Sequence, residues 1–145
     1  LPGAHCLDLF AGSGALGYEA LSRGAAACVL VEQNPQALQC LQQARQLLGA
    51  DNATIIQADS RTWLPSATGS FDIVFIDPPF DEPALAPATL VAHLLQRQLL
   101  SDDALVYIEQ PVDRAPCLPA GLVQYRQQRA GQVSYSLWRR TENTL

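Results

Sequence analysis

Short, continuously apolar runs alternate with longer segments of helical period, and this order limits the fold more than any other feature of the chain. The run AACVLVE, Ala26 to Glu32, has no polar face. A strand can be apolar on both sides only when both sides are covered, as in a parallel sheet between helices. HCLDLF (His5 to Phe10), ATIIQA (Ala53 to Ala58), FDIVFID (Phe71 to Asp77) and ALVYIEQ (Ala104 to Gln110) read as four more strands. Between them lie helical segments. GALGYEALSRG carries Leu16, Ala20 and Leu21 on one face, with Gly24 as its stop. In the next, Asn34 is a cap, Pro35 sits where a missing N–H costs nothing, and Gly49 ends a run with Leu38, Leu41, Ala44 and Leu48 at helical spacing. Pro87 to Leu100 reads as a third helix, and the proline-rich stretch from Pro111 to Gly121 as a loop. LVQYRQQRAGQVSYSLWRR reads as a hairpin turning at Ala130-Gly131.

Strand–helix alternation predicts an α/β fold, Rossmann-like, with an open and mostly parallel sheet and an antiparallel C-terminal hairpin. The 145 residues suffice for one domain, expected to span 1–145. A hydrophobic share of 48% with 16% charged residues is an ordinary globular composition, and no apolar run is long enough for a bilayer. The chain starts on Leu1 and enters a strand within a few residues, so a fragment of a longer protein is expected. Cys6, Cys28, Cys40 and Cys117 form no CxxC pair, and His5 and His93 offer no metal-ligand spacing. Small buried thiols in a reducing cytoplasm, and no metal, are the expectation. The net charge of −5, with nine Arg and no Lys, is a poor profile for a stand-alone nucleic-acid binder. Arg126, Arg129, Arg139 and Arg140 gather near the C-terminus, as a solvated hairpin face or as an RNA contact.

Ligands of such sheets bind beyond the carboxyl ends of the strands. Four of those ends carry Asp8, Glu32, Asp59 and Asp77, which are expected to rim one crevice. DLFAGSGALG sets Gly12, Gly14 and Gly17 between a strand and a helix, a formal G-x-G-x-x-G that admits a ligand to the main chain or serves merely as a tight turn. Glu32 follows at the spacing of a ribose-binding acid. A dinucleotide's pyrophosphate would sit over this loop, and Asp8 would oppose it. A cofactor with a positive end and no phosphate suits Asp8 better. S-adenosylmethionine has a sulfonium, an ammonium and a ribose diol, so Asp8 fits the ammonium and Glu32 the diol. Asp59 fits the adenine amino group, or else caps the short helix after it. The candidate cofactor set is Asp8, Phe10, Ala11, Gly12, Ser13 and Gly14 from the first turn, Glu32, Gln33 and Asn34 from the second, and Asp59 and Ser60 from the third.

FIDPPF ends a buried strand on an acid, two prolines and an aromatic. An exocyclic amine of a nucleobase is a poor nucleophile because its lone pair is delocalised. Two acceptors on its N–H groups turn that lone pair toward a methyl donor and stabilise the developing charge. Asp77 supplies one, the Pro78 carbonyl the other, Pro78 and Pro79 stiffen the turn, and Phe80 offers a stacking face. The candidate catalytic set is Asp77, Pro78, Pro79 and Phe80.

Together DLFAGSGALGYEALSRGA, VEQNPQAL, FIDPPF and GQVSYSLWRR resemble the RsmD family of bacterial 16S rRNA guanine-N2 methyltransferases, over nearly the whole chain. The D-P-P-F tetrad is shared with other amino-group methyltransferases, whereas the glycine loop and the Gly-Gln-Val hairpin narrow the likeness to this family. The resemblance implies a seven-stranded methyltransferase fold, S-adenosylmethionine as donor, guanine 966 of 16S rRNA in the small ribosomal subunit as acceptor, and a cytoplasmic monomer. Members of the family usually begin with a basic N-terminal segment, so the resemblance implies that the part expected to be missing before Leu1 is that segment. The alternatives are methylation of another RNA or DNA base, an NAD(P)-dependent reductase, and a cofactor-binding fragment without turnover.

Overall fold

The structure is a computed structural model that describes residues 2–78, 86–111 and 118–141. Seven strands form one sheet in the order β3-β2-β1-β4-β5-β7-β6. The strands are β1 (His5–Asp8), β2 (Ala27–Glu32), β3 (Ala53–Gln57), β4 (Phe71–Ile76), β5 (Leu100–Pro111), β6 (Leu122–Ala130) and β7 (Val133–Arg140). The helices are α1 (Ala15–Ser22), α2 (Pro35–Leu48), α3 (Ser60–Trp63) and α4 (Pro87–Gln96), with a 3₁₀ turn at Leu64–Ser66. Strands β1 to β5 pair in parallel, while β7 runs antiparallel to both β5 and β6. The expected α/β fold with its closing hairpin is what the chain adopts.

The apolar runs are two-sided because each strand feeds two cores. On one face Cys6, Cys28 and Leu30 pack with Tyr18 and Leu41 of α1 and α2. On the other, Leu7, Val31, Val74, Ile76 and Val106 pack with Leu90, Val91 and Leu94 of α4. Helix α1 seats Gly17 on the sheet: a Cβ there would lie 2.4 Å from Leu30 Cδ2 and 3.0 Å from Cys28 Sγ. Its inward residues are therefore Gly17, Tyr18 and Ala20, with Leu16 and Leu21 only partly covered. Asn34 caps α2 as expected, its Oδ1 accepting from the Gln36 and Ala37 N–H groups at 2.9 and 3.1 Å.

Several boundaries differ from the sequence reading. Strand β1 ends at Asp8, because Leu9 already belongs to the turn. Helix α4 stops at Gln96 and not Leu100: Gln98 takes a φ of 55°, and Leu99 N–H bonds back to the Leu94 carbonyl. Leu100 then pairs with Phe71, so β5 begins four residues earlier than its apolar run. The hairpin turns on Gly131-Gln132, between the Ala130–Val133 pair, one residue later than expected. Cys6 and Cys28 are buried and free, but Cys40 is exposed on α2, since it lies on the helix face away from Leu38 and Leu41. Cys117 lies outside the described residues. Among the described residues no helix is long and apolar enough to cross a membrane, and no group of side chains is placed to hold a metal.

Candidate active site

The chain runs outward from β1 to β3 and returns to place β4 on the other side of β1. Turns leaving neighbouring strands in opposite directions open a crevice at this switch point. It holds a cavity of about 420 Å³. Phe10 enters it after β1, Glu32 and Gln33 from β2, Asp59 and Ser60 after β3, and Asp77 and Pro78 after β4. Pro79 and Phe80 fall outside the described residues.

Ala11, Gly12, Ser13 and Gly14 form the turn between β1 and α1. Gly12 has a φ of 55° and nothing within 4 Å of where a Cβ would stand, so its backbone is open to a ligand. Gly14 differs. At φ 85° a Cβ would lie 2.4 Å from the Tyr18 ring and 2.6 Å from Leu41 Cδ1. Its role is packing, reinforced by Tyr18, whose hydroxyl donates to the Leu41 carbonyl at 2.5 Å.

The amides of this turn are largely used internally. Phe10 N–H donates to Asp8 Oδ1 (3.1 Å), Ala11 N–H to the Val31 carbonyl (3.0 Å), Gly12 N–H to Glu32 Oε1 (2.8 Å) and Gly14 N–H to the Ala11 carbonyl (2.8 Å). A pyrophosphate needs such donors unoccupied. Here two of them already carry carboxylates, those of Asp8 and Glu32, with Asp77 nearby. The turn suits a cofactor without phosphate. Glu32 is itself fixed, since Oε2 accepts from the Asn34 N–H at 2.9 Å. Each of its oxygens keeps a lone pair for a ligand hydroxyl.

Asp8 departs from the expectation that four carboxylates rim the crevice. It is 1% exposed and does not line the cavity, because β1 is an interior strand with β2 and β4 on either side. Burial, with the neighbouring Asp77 and Glu32 charges, pushes its pKa up to about 7 despite the Phe10 hydrogen bond. Asp59 lines the cavity and also caps α3: Oδ1 accepts from the Arg61 N–H at 2.8 Å, and Oδ2 pairs with the Arg61 guanidinium at 2.7 Å. Those bonds hold its pKa below the usual value. Ser60 is buried and donates its hydroxyl to the Leu9 carbonyl, tying the third turn to the first.

Asp77 is half-buried, and loss of water raises its pKa. Its neighbour across the sheet, one step past the Ile76–Ile108 pair, is Glu109 of β5, whose pKa is raised by burial and by the Asp77 charge. Glu109 escaped the sequence reading. Within ALVYIEQ it looks like an ordinary polar residue at a strand end, and only the β4–β5 register, Ile76 opposite Ile108, brings it beside Asp77.

The strand order, the crevice acids and the open glycine turn define a Rossmann-like methyltransferase of the class that uses S-adenosylmethionine. The family described as "Conserved hypothetical protein 95" matches residues 1–139. Ribosomal RNA small subunit methyltransferase D of Escherichia coli K12 is 40% identical over 138 residues, 94% of this chain and 69% of that protein. A putative rRNA methyltransferase, YlbH, of Bacillus subtilis is 33% identical over 146 residues, 95% of this chain and 77% of that one. The solved structure of putative methyltransferase yhhF from Escherichia coli superposes with a TM-score of 0.91 at 38% identity, covering 98% of this chain and 80% of that one. The chain belongs to this family, the RsmD family.

Proposed function

We propose that this protein transfers a methyl group from S-adenosylmethionine to the N2 amine of a guanine in 16S rRNA, guanine 966 in the family's pattern. The carrying observation is the half-buried Asp77 carboxylate at the crevice where the cofactor cavity ends. The names of the E. coli and Bacillus relatives support rRNA as the substrate class.

When bound, the cofactor supplies an electrophilic methyl on a sulfonium. Every other element of the reaction belongs to the chain. Glu32 accepts from the ribose hydroxyls, its carboxylate held by the Gly12 and Asn34 amides. Asp8 lies below the cofactor's amino-acid end, and ligand binding there favours its ionised form. Asp59 and Ser60 flank the adenine pocket, with Asp59 positioned by Arg61. Asp77 and the Pro78 carbonyl accept from the guanine amine and aim its lone pair at the methyl carbon. After transfer the methylated amine sheds one proton, and Asp77 lies next to it to receive it. By the family's motif, Phe80 is given the role of a stacking face worth roughly 1–3 kcal/mol per base.

The test supplies radiolabelled S-adenosylmethionine and small-subunit particles lacking the modification, followed by mapping of the labelled base. Label on N2 of guanine 966 is the expected result. Label on another base, or binding of NADH in place of S-adenosylmethionine, overturns the reading.

A further inference from the structure

Strands β4 and β5 run in register, Phe75 opposite Tyr107 and Ile76 opposite Ile108. One step further along both strands sets Asp77 beside Glu109. Side chains alternate along a strand, so Phe75 and Asp77 share a face, as do Tyr107 and Glu109. The Phe75 and Tyr107 rings meet edge-on at 6.1 Å, which places both pairs on one side of the sheet. Glu109 is also opposite Tyr135 of β7, whose ring lies 6.2 Å from that of Tyr107. The carboxyl of Glu109 is thus confined between Asp77 and a wall of two tyrosines. A hydrogen bond between two carboxyl groups requires a shared proton, because an ionised carboxylate has no donor.

We infer that Glu109 is a positioning residue for the methyl transfer: it donates its carboxyl proton to Asp77 and so holds the Asp77 carboxylate turned toward the target amine. This rests on the role given to Asp77 above. The terminal torsion of an aspartate is broad and roughly two-fold, so an unheld carboxylate samples orientations in which neither oxygen faces the amine. A donor on one oxygen selects the orientation and leaves the other oxygen for substrate. Loss of water raises the pKa of both carboxyls, and the Asp77 charge adds to that at Glu109, so one proton held between the two is the favoured state. Among the described residues, the other ionisable groups near the pair are the Asp8 carboxyl, the Tyr107 and Tyr135 hydroxyls, and the Glu32 carboxylate across the same cavity.

The experiment compares wild type, Glu109→Gln and Glu109→Ala in methyl transfer to unmethylated small-subunit particles between pH 5 and 9. S-adenosylmethionine affinity is measured by calorimetry alongside. A glutamine amide donates to Asp77 at every pH. Glu109→Gln should keep kcat within about three-fold of the wild-type maximum and lose the alkaline decline that follows departure of the bridging proton. Glu109→Ala should lower kcat at least ten-fold, leave cofactor affinity within about two-fold, and move the acid limb to higher pH. Equal kcat in all three proteins, a glutamine variant no better than alanine, or cofactor affinity falling in step with kcat overturns the inference. Should wild type bind the cofactor but methylate no particle, the substrate reading fails separately. The pair is then followed by carboxyl ¹³C NMR. A two-step coupled titration of Asp77 and Glu109 that becomes a single step in Glu109→Gln upholds the shared proton, and independent titrations reject it.

Discussion

The interior of the sheet and its hairpin edge are built differently. Strand β1 is buried from Cys6 to Asp8, pressed between two cores. Strand β6, from Val123 to Ala130, is exposed along its length and is tied to the sheet only through β7. Val123 and Tyr125 stand in water, and the Arg126 guanidinium lies 5.4 Å from the Tyr125 ring centre. Even the arginines of this region divide. Arg140 turns inward to the Leu100 carbonyl at 2.5 Å, while Arg139 reaches Asp103 across open surface at 3.5 Å. The contrast separates two tasks. Where a small molecule must be held, the backbone is locked from both sides. At the hairpin edge polar and aromatic side chains stay exposed, a layout open to either alternative for the arginine cluster, a solvated face or an RNA contact.

The largest effect expected of a single change lies in the buried interior region. Asp77→Ala should abolish measurable methyl transfer while leaving S-adenosylmethionine affinity within a few-fold, as seen by calorimetry. Equal loss of both would move Asp77 from the acceptor site to the cofactor site.

Asp8→Asn tests how far burial governs this region. An aspartate ionises near 3.8 when exposed and near about 7 in the fold, so its burial favours folding below pH 4, an advantage lost as pH rises toward 7. Asparagine keeps an oxygen for the Phe10 N–H and never ionises. The variant should be more stable at pH 8 by up to about 4 kcal/mol and little changed near pH 4, by urea unfolding at both values. A stability difference independent of pH would show that Asp8 is not desolvated. Cofactor affinity should fall in the same variant if, as proposed, the buried charge that weakens the fold is the one that meets the ammonium.

Glu32→Ala is expected to cost roughly 1.5–3 kcal/mol of cofactor binding, the scale of a hydrogen bond to a charged group. Unchanged affinity would remove Glu32 from the ribose and leave it only its bonds to Gly12 and Asn34. The smallest effect belongs to the hairpin. Tyr125→Ala should alter stability by less than about 1 kcal/mol, since it removes an exposed ring and one exposed cation–π contact. A larger loss in urea unfolding would mean that the hairpin is anchored more firmly than its exposure indicates.

Much of this was legible in the sequence. Two-sided apolar runs foretold a covered parallel sheet, Asn34-Pro35 and Gly49 marked both ends of α2, and carboxylates at strand ends pointed to the crevice. These are local signals, written in periodicity and in caps. Two helix-related errors had one cause. The boundary of α4 and the inward face of α1 depend on partners distant in sequence, Phe71 pulling Leu100 into β5 and Leu30 receiving Gly17.

Alone, the order of residues determined the strand–helix alternation, the glycine turn and the acid-tipped corner, because each is encoded by near neighbours whose backbone preferences need no outside help. Only tertiary structure decided that Asp8 is buried and not on the crevice rim, that the Gly12 amide is held by Glu32, and that Glu109 stands beside Asp77. Those outcomes follow from strand order and register, which are set by the packing of whole elements, and no short stretch of sequence records them.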